Sequence, residues 1–374
     1  MKILVAGPYR DGTGYSKALR EYIMALITAG ADVVCRPIKM SNGSTDIEPI
    51  IVASENKNLN NVDVFFQCNL PHTFERKEGI LNVGSFFWET SHFRHSNWAR
   101  KMDLIDIIIV PTSSNVTACE QSGVESSKIN KINVPCDISK YNKDYGKIDS
   151  DLFKNKFIFY TIGEFRKRKN FEDLLKAYYT FFTSRDNVLL VIKSSASGSD
   201  EQQLNAISSF VDTVRKSCTS GPKYLFPKVV VIPGTIPEEK INRIHNSCDV
   251  FVTASKGEGW CLPAFDAMAF GNHVIAPDHT AFREYDCVKV PSVMVNVDEN
   301  TKGISDLYCG DEYWYQCDVN YLGCLMKKMY GDYEDGTLTH RSREQINNYL
   351  NTYSYATIGD KLIKLFEGKI NGTI

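Results

Sequence analysis

Nothing in this chain approaches the roughly 20 consecutive apolar residues that a membrane-crossing helix needs. The opening, MKILVAGPYRDG, holds one short apolar run that breaks at Gly7-Pro8 and turns charged, the pattern of a first strand rather than of a secretion signal. Net charge is nearly absent as well. At −2 the chain has no overall attraction for a polyanion or an anionic membrane, although a local basic patch can sit inside a neutral total. Cysteine is abundant, with eleven residues, but none stands as Cys-x-x-Cys, and Cys309, Cys317 and Cys324 lack zinc-ligand spacing. No metal site and no cofactor are therefore expected. Cys35, Cys68 and Cys248 lie in apolar contexts, as reduced cysteines do when they serve as small hydrophobes in a cytoplasmic protein. Also missing are G-x-G-x-x-G and the Gly-Lys-Ser/Thr of a phosphate loop, which argues against nicotinamide dehydrogenases and P-loop enzymes. Repeats and low-complexity tracts do not occur.

What is present is length and alternation. At 374 residues, 43% apolar and 24% charged, the chain is globular in composition and too long for one ordinary core. Strand signals at Lys2–Ala6, Asp32–Cys35, Val62–Cys68, Leu81–Phe87 and Ile105–Val110 alternate with helical ones, beginning with Thr13–Ala29. Thr112 or Ser113 would cap the helix after the last of these strands. Continuous apolar strands of this kind suit a parallel sheet covered on both faces. The pattern pauses in the polar stretch 141–156, within which residues 146–156 are read as a linker. It then restarts at Phe157–Ile162 and runs through strands at Val188–Lys193, Val229–Ile232, Val250–Thr253 and His273–Ala276. Two successive βαβ arrays predict an α/β chain of two doubly wound, Rossmann-like domains, residues 1–145 and 157–340, facing across a cleft. The last residues, 341–374, read as helices with no sheet left to extend.

Three loops carry chemistry. Gly7-Pro-Tyr-Arg-Asp-Gly12-Thr-Gly14 follows the first strand and opens the first helix, where glycine admits a ligand close to the backbone or simply permits a tight turn. Gly163-Glu-Phe-Arg-Lys-Arg-Lys169-Asn lies between a strand end and a helix start. Arg168 and Lys169 there precede a helix whose positive end already favours a phosphate. Asp249–Val274 reads as a strand, a loop with Gly257, Glu258 and Gly259, and an amphipathic helix, Leu262–Phe270, bearing Asp266. Such a turn offers unpaired N–H groups to an anion, and its two carboxylates suit sugar hydroxyls.

Together these stretches resemble family 4 of the glycosyltransferases, retaining enzymes of the GT-B fold. The resemblance covers most of the chain and is strongest from Phe157 to Pro277, where Glu258-Gly-Trp-Cys-Leu-Pro-Ala-Phe-Asp266-Ala-Met-Ala-Phe-Gly271 is similar to the family's acid–x7–acid motif. It implies a metal-independent transfer from a nucleotide diphosphate sugar, UDP- or GDP-linked. Glu258 would bond donor-sugar hydroxyls, and Gly259, Trp260, Cys261 and Leu262 would present backbone amides to sugar and diphosphate. Asp266 would hold the ribose, Arg168 and Lys169 the diphosphate, and the turn Ile232–Thr235, with Gly234, would border the base. Gly12 and Gly14 would close over the phosphates, and the last helices would cross back to the first domain.

Three positions depart from the family pattern. Asp266 stands where glutamate is usual. Glu164 follows Gly163 where arginine is common, leaving Arg166 or Arg168 to supply the guanidinium. The first-domain strand end that often carries a catalytic histidine reads Phe87-Trp-Glu-Thr-Ser-His92, so Glu89 or His92 would fill that role. The acceptor is open: a saccharide, a lipid-linked sugar or a hydroxylated DNA base. Trp88, Phe93 and Trp98 could stack on a sugar or a base, and Arg94 could meet phosphate. A DNA-modifying glycosyltransferase, a GT-B nucleotide-sugar epimerase and a non-catalytic sugar-binding module are the alternatives to the transferase reading.

Overall fold

Six segments in the first 131 residues build the first sheet: β1 (Lys2–Gly7), β2 (Asp32–Pro37), β3 (Val64–Cys68), β4 (Leu81–Ser85), β5 (Ile107–Val110) and β6 (Ile129–Lys131). All pair in parallel, in the order β2-β1-β3-β4-β5-β6. β3, β4 and β5 are buried at every position, as strands covered on both faces are, and β5 accordingly reads as an unbroken apolar run rather than an alternating one. A second sheet repeats the plan with β7 (Phe157–Glu164), β8 (Val188–Ser195), β9 (Lys228–Ile232), β10 (Val250–Val252), β11 (His273–Pro277) and β12 (Val288–Val290). Its order is β12-β11-β10-β7-β8-β9, again parallel throughout. This computed structural model describes residues 1–41, 43, 45–218, 225–297 and 308–373.

The chain divides into two compact units. One comprises residues 1–140, 296–314 and 347–374, and the other residues 141–295 and 315–346. Each is a doubly wound α/β unit, as the alternation predicts. The sequence draws its boundary at residue 145 and reads 146–156 as a linker, whereas in the structure the first unit's opening stretch ends at Lys140 and residues 141–156 lie with the second. The described residues 296–297 and 308–314 are the feature that local pattern does not announce, because they leave the second unit's stretch of chain and join the first.

Within the first unit, helix Tyr355–Ile370 lies against helix Gly14–Thr28. Gly359 makes the approach possible: a Cβ there would stand 2.2 Å from the carbonyl oxygen of Ala25. Thr13 caps the earlier helix by accepting from the Ser16 N–H, and Thr112 caps Ser113–Gln121 in the same way. The second unit's core gathers Phe157, Phe159, Tyr178, Phe182 and Leu190, with Met326 contributed by helix Val319–Glu334. Among the described residues no helix is long and apolar enough to cross a membrane.

Candidate active site

The second sheet reverses direction between β7 and β10. From β7 the chain winds outward through β8 and β9, and it then returns to place β10 on the other side of β7. Loops leaving the carboxyl ends of the two strands at such a switch point must diverge to opposite faces, and the crevice between them is where open α/β sheets bind ligands. The basic turn follows β7 and the acidic turn follows β10, so the two charged loops are brought side by side at that point.

They interlock. Asn170, at φ 52°, ends the basic turn in a left-handed conformation. Its amide donates to Asp173 (2.7 Å) and to the Ala254 carbonyl beyond β10 (3.1 Å). The Lys256 N–H donates to the Arg168 carbonyl at 2.8 Å. With the backbones locked, Lys169 Nζ reaches Glu258 Oε1 at 2.6 Å and Arg168 Nη1 lies 3.2 Å from Oε2. Arg168 also donates to the Gly257 carbonyl, and the Ser255 hydroxyl donates to Glu258 Oε1 at 2.6 Å. Glu258 is 4% exposed. Burial alone would raise its pKa, but Lys169 and Arg168 outweigh that and hold the carboxyl down at about 2.

Behind Glu258 lies a support that the motif does not reveal. Its N–H donates to Thr280 Oγ1 (3.1 Å), and His279 Nδ1 lies 3.0 Å from the same hydroxyl. Thr280 sits at φ 42°, a strained position for a β-branched residue. The His279 ring is buried and stacks on Tyr315 at 4.5 Å, while the Tyr315 N–H donates to the Lys256 carbonyl at 2.8 Å. Burial pulls His279 down to about 3, so it is neutral at ordinary pH.

Both shifts act in the same direction on stability. An unfolded glutamate titrates at 4.5, so the Glu258 contribution is complete above that pH and is lost as pH falls toward 2. An unfolded histidine takes its proton at 6.5, long before buried His279 can at about 3, so stability declines across that interval too. The melting temperature is therefore expected to fall as pH drops from 6.5 to 4.5, with a shallower slope in His279→Asn. An identical slope in wild type and variant would remove His279 from this account.

Helix Leu262–Phe270 begins right after the acidic turn, with Cys261 left-handed at φ 63° as its N-cap. The Cys261 carbonyl takes the N–H groups of Ala264 and Phe265, and the amides of Gly259, Cys261 and Leu262 lie outside that pairing at the helix's positive end. Trp260 turns its ring into the core against Phe265 (5.4 Å) and Tyr285 (5.6 Å), leaving backbone rather than indole for a ligand. Asp266 is 2% exposed and accepts from the Tyr141 hydroxyl at 2.7 Å. This partner lies 125 residues away in sequence, which is why no local pattern announces it.

Gly163 lies beneath the Lys169 side chain, 3.5 Å from where a Cβ would stand. Arg166 points elsewhere and pairs with Glu164 at 2.7 Å, with both side chains exposed. Gly234 sits at φ 78°, a conformation that favours glycine, and a Cβ there would stand 2.3 Å from Asp200 Oδ1, so a side chain would force Asp200 to move. Its N–H donates to Gln203 (3.2 Å) and its carbonyl accepts from Lys193, whose buried ammonium is pushed down in pKa by burial. Lys193 and Gln203 thus fix the turn after β9, with Asp200 close beside it, and single-residue reading overlooks all three. A cavity of about 460 Å³ lined by Asn272, His273, Asp286, His340 and Arg341 opens at the amino ends of β11 and β12. It contains none of these residues, and the wrong end of the strands makes it no rival to the switch point.

In the first unit, the loop after β1 leaves Gly12 and Gly14 exposed. Buried Asp11 secures that loop by accepting from the N–H groups of Met40 (2.9 Å) and Ser41 (2.7 Å). Glu89 accepts from Tyr308 at 2.7 Å, and His92 is buried. The stacking platform is corrected. Trp88, Phe93 and Trp98 are 2%, 1% and 1% exposed and pack edge-on or tilted against one another and Phe86. They are core, because burying three large rings outweighs leaving them for an acceptor. Arg94 is exposed and paired with Asp311 at 2.5 Å.

Comparison with known proteins bears on the fold. Residues 146–290 match the family model for glycosyl transferases group 1. No curated protein sequence matches the chain. Among solved structures, Anabaena HepE in complex with UDP-glucose aligns with a TM-score of 0.64 at 13% identity, covering 98% of this chain and 100% of that one. Sucrose-phosphate synthase from Thermosynechococcus elongatus aligns at 0.65 and 14% identity over 100% of both chains. A glycosyltransferase from Rickettsia africae aligns at 0.62 and 12% identity, covering 98% of this chain and 97% of that one. The fold is that of GT-B glycosyltransferases, two Rossmann-like units with a parallel six-stranded sheet each.

Proposed function

We propose that this chain is a glycosyltransferase that moves a sugar from a nucleotide diphosphate sugar to an acceptor hydroxyl with retention at the anomeric carbon. One observation carries the reading: at the switch point between β7 and β10, Arg168 and Lys169 converge on Glu258. The start of helix Leu262–Phe270 lies just beyond in the chain. Two cations and a helix N-terminus form an anion site, and the buried carboxylate between them stays ionised to accept from sugar hydroxyls. An ammonium has three donors and a guanidinium five, so both cations can hold a phosphate without releasing Glu258.

In this reaction the bond from the anomeric carbon to the diphosphate oxygen breaks while the acceptor oxygen bonds to the same face of that carbon. The acceptor proton passes to the departing diphosphate, so no protein nucleophile is needed. Arg168 and Lys169 stabilise the charge that develops on the leaving group, and no metal is required at the phosphates. A complex of HepE with UDP-glucose favours a uridine donor over a guanosine one. The eleven cysteines, all free thiols, fit work in a reducing, cytoplasmic setting.

A melting-temperature panel of uridine, guanosine and adenosine diphosphate sugars tests the proposal, since a ligand that binds only the folded state raises the transition. One nucleotide series is expected to do so, with donor consumption appearing only when an acceptor is added. No shift with any series would reject the site, and equal consumption without an acceptor would replace the transferase by an epimerase.

A further inference from the structure

The loop after β4 and the described residues 308–312 belong to the same unit, where they gather an imidazole and two carboxylates. One ligand atom from each of His92, Asp311 and Glu312 lies within 4.8 Å of the others. His92 is 4% exposed and Glu312 is 0% exposed. Two observations separate this group from an ordinary surface ion pair.

The first is a set of vacant bonding positions. His92 Nδ1 and Asp311 Oδ1 are both buried and have no hydrogen-bond partner. A buried polar atom without a protein partner marks a place for an ordered water or an ion, and here two such atoms belong to one cluster of potential ligands. The second is that the other carboxylate atoms are already held. Asp311 Oδ2 accepts from Arg94 at 2.5 Å and lies 2.6 Å from His95 Nε2. Glu312 accepts the N–H groups of Cys309 (3.0 Å to each oxygen) and Gly310 (2.8 Å). Such outer bonds fix the orientation of metal-ligating carboxylates, and a carboxylate oxygen that accepts one N–H keeps a further lone pair. Among the described residues, no lysine or arginine lies within ion-pair distance of Glu312, a fully buried acid.

We propose that His92, Asp311 and Glu312 bind one divalent first-row metal ion, of the Zn²⁺ or Mn²⁺ class, through an imidazole nitrogen and one oxygen of each carboxylate. A mixed nitrogen and oxygen set with three protein ligands suits these ions and leaves a position for water, whereas Ca²⁺ takes six or more oxygens. The ion fastens residues 308–313 to the loop after β4. The two segments are already joined there by the Ser91 N–H to the Tyr313 carbonyl and by the Tyr313 N–H to Ser91 Oγ, both at 2.9 Å. The site is structural, and it stands whether or not the sugar-donor reading does.

The test uses the full chain without a histidine tag, stripped with chelator and dialysed against Zn²⁺, Mn²⁺, Mg²⁺ or Ca²⁺, with bound metal read by elemental analysis. One Zn²⁺ or Mn²⁺ per chain is expected, with little Mg²⁺ or Ca²⁺. Because His92 is buried and its removal can unfold the loop, Asp311→Asn is the primary variant, and it is expected to lose stoichiometric binding while keeping its metal-free melting temperature. Arg94→Ala, which removes an outer partner, is expected to weaken binding by roughly tenfold. Cys309→Ser is expected to bind as wild type does. The proposal is overturned if the wild type takes up neither ion stoichiometrically, if Asp311→Asn binds as tightly as wild type, or if Cys309→Ser alone abolishes binding.

Discussion

Lys169→Ala is expected to lower sugar transfer by roughly 10²–10³-fold, the usual loss when one preorganised donor to a developing charge is removed. Lys169 Nζ is 2.6 Å from Glu258 Oε1, and both side chains are largely sheltered from water. There the ammonium acts in a setting where its charge is poorly screened. Its loss strikes twice, because the leaving group loses a cation and buried Glu258 keeps only Arg168 and Ser255 as partners. With the nearer of the two opposing charges gone, the carboxyl rises from about 2 toward its ordinary range. Arg168→Ala is expected to have a similar but smaller effect, since its distance to Glu258 is 3.2 Å. Initial rates of donor consumption with acceptor present, measured beside the melting temperature of each variant, separate lost chemistry from lost folding. Near-normal turnover in both variants would remove these residues from the leaving-group role.

Trp98→Ala is expected to destabilise the first unit by about 3–5 kcal/mol, the range for truncating a buried aromatic to alanine. The ring is 1% exposed and lies 5.0 Å from Trp88, 5.4 Å from Phe93 and 5.8 Å from Phe86. The cavity left behind cannot collapse easily, since each neighbour is itself a rigid ring held by others. Chemical denaturation with a two-state probe in the first unit measures the loss. Donor-induced thermal stabilisation should persist, because the proposed anion site consists of residues in the second unit. Unchanged stability together with failed acceptor transfer would return Trp98 to the surface role that the sequence suggested.

The fate of the segment FFWETSHFRHSNWARK shows where reading by residue type fails. Aromatic and basic residues at a strand end look alike whether they form a platform for a ligand or a core topped by a charged rim. Only packing tells them apart. His92 is similar: its neighbours Asp311 and Glu312 lie more than 200 positions further along the chain, beyond any spacing rule. Asp266 and Tyr141 repeat the lesson within the second unit. By contrast, Leu262–Phe270 has the same limits in sequence and structure, since Pro at its second position and Gly271 after its end are local start and stop signals.

The amino-acid order by itself determined the alternation of strands and helices, the parallel character of both sheets, and the basic and acidic turns at strand ends. These follow from the periodicity of burial and from turn chemistry, which act over a few neighbouring residues. Tertiary structure alone decided that β10 lies beside β7, so that Lys169 meets Glu258. It also decided that Trp88 and Trp98 are core and that the described residues 308–314 join the first unit. Those outcomes depend on which distant segments compete for the same buried surface, and that competition is settled by the whole packed chain.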